Sequence, residues 1–183
     1  MAALKRGSNV ELTREIPDLP GVVLGVRWEV GPEPALAESL VVAAILCDHA
    51  RRAPSAEHFV FFNQLTEPSR SVAMAGDDDD QVEVVFADVP GEVSRIVAVL
   101  YVNEGNGLRR GLGRLRSLTL RGLDPRDDRE LVRSENLAPA LDGETALALG
   151  EVYRHNGGWK FKVLGEGYRS GIAALAEDYG VIR

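Results

Sequence analysis

The sequence predicts an all-β fold: a sandwich of two antiparallel sheets with a short C-terminal helix. Val22, Leu24, Val26, Trp28 and Val30 alternate with Val23, Gly25, Arg27 and Glu29, the period of two that a strand with one buried face shows. Two later alternating runs flank His155, Asn156, Gly157 and Gly158. Asn-Gly between such runs marks a hairpin, because both residues accept positive φ. Only the closing stretch, with Ile172, Leu175 and Tyr179 on one face, has the helical period.

The remaining elements follow in chain order. After the first strand, LVVAAILC (residues 40–47) and FVFF (residues 59–62) are short, apolar and rich in β-branched or aromatic residues. Both suit strands covered on two faces. Val82, Val84 and Phe86 alternate with Glu83 and Val85, and residues 96–102 form another buried-type strand. Leu118 and Leu120 alternate with Thr119 and Arg121. Residues 145–154 and the run of Trp159, Phe161 and Val163 make the hairpin arms. A helix is expected over residues 170–179, and Gly180 is placed to end it. Many short strands, turn-rich joints and one terminal helix describe a sandwich. The aromatic side chains, Trp28, Trp159 and the Phe residues, are expected in the core.

The chain has 183 residues, 45% hydrophobic and 27% charged, the balance of an ordinary globular protein. That length is read as a single domain over residues 1–183, large enough to bury a core without staples. Cys47 is the one cysteine, so no intrachain disulfide forms, which fits a reducing compartment. The net charge is -7, against the basic face that nucleic-acid binding needs. The N-terminus lacks the apolar core of a signal peptide, and the longest apolar run, residues 40–47, is too short for a transmembrane segment. These features point to a cytoplasmic protein.

The segment ETALALGEVYRHNGGWKFKVLGEGYRSGIAALAEDYGV (residues 144–181) closely resembles the end of the tellurium-resistance TerD family. LKRGSNVELT at residues 4–13 resembles the family's opening, and FVFFNQ at residues 59–64 fits its middle. The acidic loop, strand, Val-Pro link and buried strand of residues 76–102 come in the family's order. The resemblance implies a β-sandwich that binds Ca²⁺ and serves cytoplasmic stress-response systems, including resistance to tellurite. It implies other proteins of a stress-response complex as partners.

The loop GDDDDQVEVVF (residues 76–86) places four carboxylates side by side. By resemblance, Asp77, Asp78, Asp79 and Asp80 are the candidate calcium ligands. The family's loop is about ten residues longer, and its Asp-x-Asp-Ala-Ser pattern falls here on Ser39, Leu40, Val41, Val42 and Ala43, without either carboxylate. Ca²⁺ takes six to eight oxygens. Adjacent strand residues point to opposite faces, so the four Asp converge only if Gly76 lets the loop curl. Further oxygens would come from backbone carbonyls, Asn63, Gln64, Asp88 or water. The bland alternative is a solvated acidic hairpin turn. Arg109, Arg110, Arg114 and Arg116, interleaved with Gly111 and Gly113, could fork onto phosphate or form a solvated loop. Cys47, Asp48 and His49 sit together, but a cysteine ending an apolar run reads as packing. His49, His58 and His155 lack zinc spacing. No nucleophile–base set appears, so no enzyme is expected. Two functions stand: a calcium-responsive, non-enzymatic stress protein, or a metal-independent protein-interaction module that has lost calcium.

Overall fold

The computed structural model describes residues 3–32, 34–76, 80–103 and 111–181. Among these, two antiparallel sheets pack face to face. One runs in the order β1 (Asn9–Glu11), β11 (Gly158–Tyr168), β10 (Ala146–His155), β7 (Arg95–Val102), β3 (Leu40–Cys47), β4 (Phe59–Val60). The other runs β5 (Val72–Ala75), β6 (Gln81–Val85), β2 (Gly21–Val30), β8 (Leu115–Leu123), β9 (Glu130–Arg133). The predicted sandwich is therefore found, with the short helix α1 (Ile172–Asp178) at its end.

Alternation explains the main core. Val22, Leu24 and Val26 of β2 and Leu118 and Leu120 of β8 meet Leu46, Ile96, Leu100, Leu147 and Phe161 from the opposite sheet. Fully burying such a side chain stabilises the fold by about 1.5–3 kcal/mol. The six-stranded sheet is also covered on its far side. There Ala43, Ile45, Val97, Val99 and Ala148 lie with Leu175 and Tyr179 of the C-terminal segment. Burial on both faces is why residues 40–47 and 96–102 read as continuous apolar runs.

Helix α1 ends as expected. Gly180 has φ 77°; its N–H donates to the Glu177 carbonyl at 3.0 Å, and the Val181 N–H donates to the Ala176 carbonyl at 2.8 Å. That pair of bonds is a Schellman cap.

The predicted hairpin is present. His155 pairs with Gly158, and Asn156 (φ 49°) and Gly157 (φ 79°) both lie at positive φ, as a type I′ turn requires.

Three short edge strands, β1, β5 and β9, were not predicted. The expected strand over residues 59–62 is corrected: it stops at Val60. Gln64 folds back instead, exchanging backbone bonds with Phe61 at 2.9 and 3.0 Å and donating its Nε2 to the Phe59 carbonyl at 2.9 Å. Phe62 is left 43% exposed, outside the core where it was expected.

Strand β10 carries a bulge between Ala148 and Gly150 against both neighbours. A bulge reverses the in–out alternation. Leu147 and Leu149 face the inter-sheet core, yet Glu151 pairs with Val97 of the opposite face and so turns away from that core.

Candidate functional site

The acidic segment is the connection between β5 and β6. The last pair of that hairpin is Ala75 with Gln81, so residues 76–80 form its loop. Asp77, Asp78 and Asp79 lie outside the described residues. Gly76 has φ 87°, the left-handed backbone that lets a chain curl. A Cβ at Gly76 would meet Asp80 Oδ1, the end of a side chain that can turn aside, so the positive φ is what favours glycine there.

Asp80 is half-buried, and its backbone carbonyl accepts the Val26 N–H at 3.0 Å. Its neighbours lie on the outer face of the five-stranded sheet. Gly25 leaves a dent there, because it has no side chain between Arg27 and Arg121. The resulting cavity of about 240 Å³ is lined by Asp80, Gln81, Gly25, Arg27, Trp28 and Arg121, among others. Arg121 Nη1 reaches Glu130 Oε1 at 3.6 Å, and its Nε is buried without a hydrogen-bond partner. The one described aspartate of the loop therefore shares its cavity with two guanidinium groups.

The other expected oxygen donors divide. Asn63 and Gln64 precede Leu65, whose carbonyl accepts the Met74 N–H, which brings them toward the Ala75 end of β5 and the loop, with Gln64 Nε2 donating to the Glu57 and Phe59 carbonyls. Asp88 belongs to the 3-10 turn Phe86–Asp88 beyond the far end of β6, about 17 Å along a five-residue strand from its start. Ser39 ends the 3-10 segment Pro34–Ser39 before β3, and its carbonyl accepts the Asn103 N–H at 2.7 Å. Among the described residues no three His, Cys, Asp or Glu side chains converge as a metal cage would need.

Comparison with known proteins places this geometry. The TerD domain pattern matches residues 1–179. The chain belongs to the TerD domain family. It is 33% identical to general stress protein 16U of Bacillus subtilis, over 98% of this chain and 97% of that one. It is 29% identical to the tellurium resistance protein TerD of Serratia marcescens, over 98% and 97%. A crystal structure of a telluride resistance protein (TerD) homologue from Streptomyces coelicolor superposes with a TM-score of 0.65 at 16% identity, covering 86% of this chain and 95% of that one. At that identity the match speaks to the fold alone.

This TerD domain also holds a charged centre that the sequence did not disclose. Glu151 is fully buried. Its Oε1 accepts Arg95 Nη1 at 2.6 Å and Arg51 Nη2 at 3.2 Å, while Oε2 is buried without a partner. The Arg95 guanidinium stacks 5.1 Å above the Tyr153 ring. The one available signal was a lone carboxylate inside the apolar run of β10. Cys47 stands beside this centre. Burial pushes its thiol up to about 12, helped by Glu151 and Asp48, so it carries no thiolate near neutral pH. Asp48 instead caps its own turn, accepting the Ala50 and Arg52 N–H groups at 2.9 and 3.1 Å, and His49 is exposed.

A second buried carboxylate, Glu67, closes the turn before β5. It accepts the N–H groups of Ser69, Ser71 and Val72 and the hydroxyls of Ser69 and Ser71. Burial raises its pKa, but these bonds together outweigh burial and hold it below the usual carboxylate range.

The basic stretch divides. Residues 109 and 110 lie outside the described residues, and Gly111 and Gly113 pack against the backbone of residues 141–143. His155 is a hairpin residue, its Nε2 3.1 Å from Asn156 Nδ2. No helix among the described residues is long and apolar enough to cross a membrane.

Proposed function

We propose that the chain is a non-enzymatic, cytoplasmic binding module of a stress response, working through protein contacts rather than a resident metal. The observation that carries this is the cavity beside Asp80. Arg27 and Arg121 line it together with Asp80, so positive charge stands beside the acidic loop without a metal, although Arg121 also reaches Glu130. The segment at the start of β3 adds no carboxylate, because Ser39 and Val41 stand where the family's pattern has acidic residues. The high thiol pKa at Cys47 supports a role without nucleophilic catalysis. The stress and tellurium setting is supported by the names of the relatives.

A second reading, a calcium site at Asp77, Asp78, Asp79 and Asp80, is favoured by the curl at Gly76. The four carboxylates are consecutive in the sequence, and a cation bound among them would relieve their repulsion. Such a site would be weak, about 10⁻⁴ M or weaker, as in modules with few ligands.

Calorimetric titration of chelator-stripped protein with Ca²⁺ and Mg²⁺ decides between them. The metal-independent reading expects no binding heat and no calcium-dependent melting shift. A Ca²⁺-dependent stabilisation, about 2.7 kcal/mol at a hundredfold excess over Kd, that disappears in the Asp78→Asn/Asp80→Asn double variant would overturn it and establish the loop site.

A further inference from the structure

The outer face of the five-stranded sheet gathers hydrogen-bond donors that lack acceptors. Arg121 on β8 is the clearest of them. Its side chain is only 20% exposed. Among the described residues its ion pair runs from Nη1 to Glu130 Oε1 at 3.6 Å, beyond hydrogen-bond reach. The other edge of the guanidinium, Nε with Nη2, is the fork that can grip two oxygens side by side. Nε is buried and unpartnered. Nη2 lies over Gly25, 3.9 Å from where a Cβ would stand, so this edge borders the dent that Gly25 leaves in β2.

Other donors surround the same dent. Gly25 pairs with Gln81 on one side and with Arg121 on the other, so the Gln81 amide and the guanidinium flank it on one face of the sheet. Arg27, two residues on, is exposed on that face. The backbone contributes as well. The Asp80 carbonyl answers the Val26 N–H, but β6 begins at Gln81, and no described strand pairs with this edge of β2 further along. The Trp28 N–H points to the same edge as that of Val26, where Trp28 lines the cavity with Arg27, Gln81 and Arg121. Asp80 is the acidic residue in the lining, and among the described residues its carboxylate forms no ion pair with either arginine.

We propose that this dent binds a small oxyanion that keeps a proton near neutral pH, hydrogen phosphate being the type. Two of its oxygens seat on Arg121 Nε and Nη2, a third faces Arg27 and the Trp28 N–H, and its own O–H donates to the Asp80 carboxylate. The charge balance sets the preference. Two guanidiniums attract an anion, but Asp80 and Glu130 stand beside them, and the chain carries a net charge of -7. A fully deprotonated ion meets Asp80 as a like charge. A protonated one turns the same approach into a charge-assisted hydrogen bond. Hydrogen phosphate has that proton. Sulfate and the dianion of a phosphate monoester do not, so the site separates free phosphate from phosphorylated molecules. It adds a small-molecule ligand to the binding module proposed above and requires neither a metal nor a protein partner.

Calorimetric titration of the full chain with phosphate tests this, in chelator at low ionic strength and at about pH 8, where a phosphate monoester has lost its second proton. With divalent ions removed, a calcium site in the loop neither mimics nor hides the result, so the two titrations succeed or fail independently. Phosphate should bind, and sulfate and glycerol phosphate should bind about tenfold more weakly or not at all. Arg121→Lys keeps the charge but loses the fork, and should weaken phosphate about tenfold. Gly25→Val fills the dent without altering any charge and should abolish binding. A Cβ there meets Arg121 Nη2 at 3.9 Å, an ordinary contact, so the strand accepts it. Asp80→Asn should bring sulfate close to phosphate, because the like charge is gone. Circular dichroism identifies the variants that fold, and each is read separately. A wild type that gives no heat with phosphate would overturn the proposal. So would sulfate or glycerol phosphate binding as tightly as phosphate, or a folded Arg121→Lys or Gly25→Val protein that binds like the wild type.

Discussion

At Glu151 one carboxylate oxygen answers two guanidinium groups. Removing one partner of such a buried pair leaves the other charge stranded. Glu151→Ala should therefore cost about 3 kcal/mol or more, read as a lower urea midpoint with an unchanged slope, whereas Glu151→Leu combined with Arg95→Met should cost much less. The centre was not legible in the sequence because its members are 100 and 56 residues apart and only the sheet register brings them together. Asp124 is the local counterpart. It is 2% exposed, with Arg126 donating its N–H and Nε to Oδ1, both at 3.0 Å, and Nη2 to Oδ2 at 2.8 Å. Those bonds hold its pKa at about 2, against an ordinary 3.8. A carboxylate whose pKa is depressed on folding stabilises the fold above its unfolded pKa and loses that contribution as pH falls through the folded value. The loss should thus fall between 3.8 and about 2. Asp124→Asn should flatten that acid limb in urea midpoints compared from about pH 5 to about pH 2, while the wild type declines.

Among the elements, those legible in the sequence are the ones whose burial follows the local period. Strands β2, β8 and β11 alternate, and β3 and, after Arg95, β7 are apolar, so each was visible. The missed strands β1, β5 and β9 have three or four residues each and lie on sheet edges, too short to show a period. FVFF failed for a different reason: its composition suits a strand, but the Gln64 amide ends the pairing after two residues. The bulge at Gly150 was invisible too, although it decides which way Glu151 points. A Cβ there would press on Leu120 Cδ2 and on the Lys162 carbonyl, so only glycine fits. The β10–β11 turn was fully legible, and it gives a clean test. Nothing lies within 4 Å of a Cβ built on Gly157, so any cost of substitution comes from the backbone alone. Gly157→Val should destabilise by about 1 kcal/mol or more, because a β-branched residue resists positive φ, while Gly157→Asn should cost much less. Thermal melts of the two variants side by side check this, and equal melting temperatures would refute the turn's contribution.

For the molecule as a whole, the sandwich could be read from alternation, but its third layer and its charged centres could not, since they depend on which strands become neighbours. The acidic loop was legible as chemistry and not as geometry: four carboxylates announce a charge problem without saying whether arginine or a cation answers it. One property of the whole follows from the shared core. Leu24 and Leu120 of one sheet and Ile96, Leu147 and Phe161 of the other belong to a single buried cluster, so neither sheet can expose its inner face without exposing the other's. The two tryptophans report on different sheets, Trp28 on β2 and Trp159 on β11. Trp159 also stacks on Phe86 at 4.8 Å, which ties its signal to the joint between the layers. If the chain is one cooperative unit, single-tryptophan variants Trp28→Phe and Trp159→Phe should show fluorescence transitions in urea that coincide with each other's circular dichroism, after each is normalised to its own stability. Separate transitions, with one tryptophan exposed while the other sheet keeps its ellipticity, would mean that the layers unfold independently and that the inter-sheet core does not couple them.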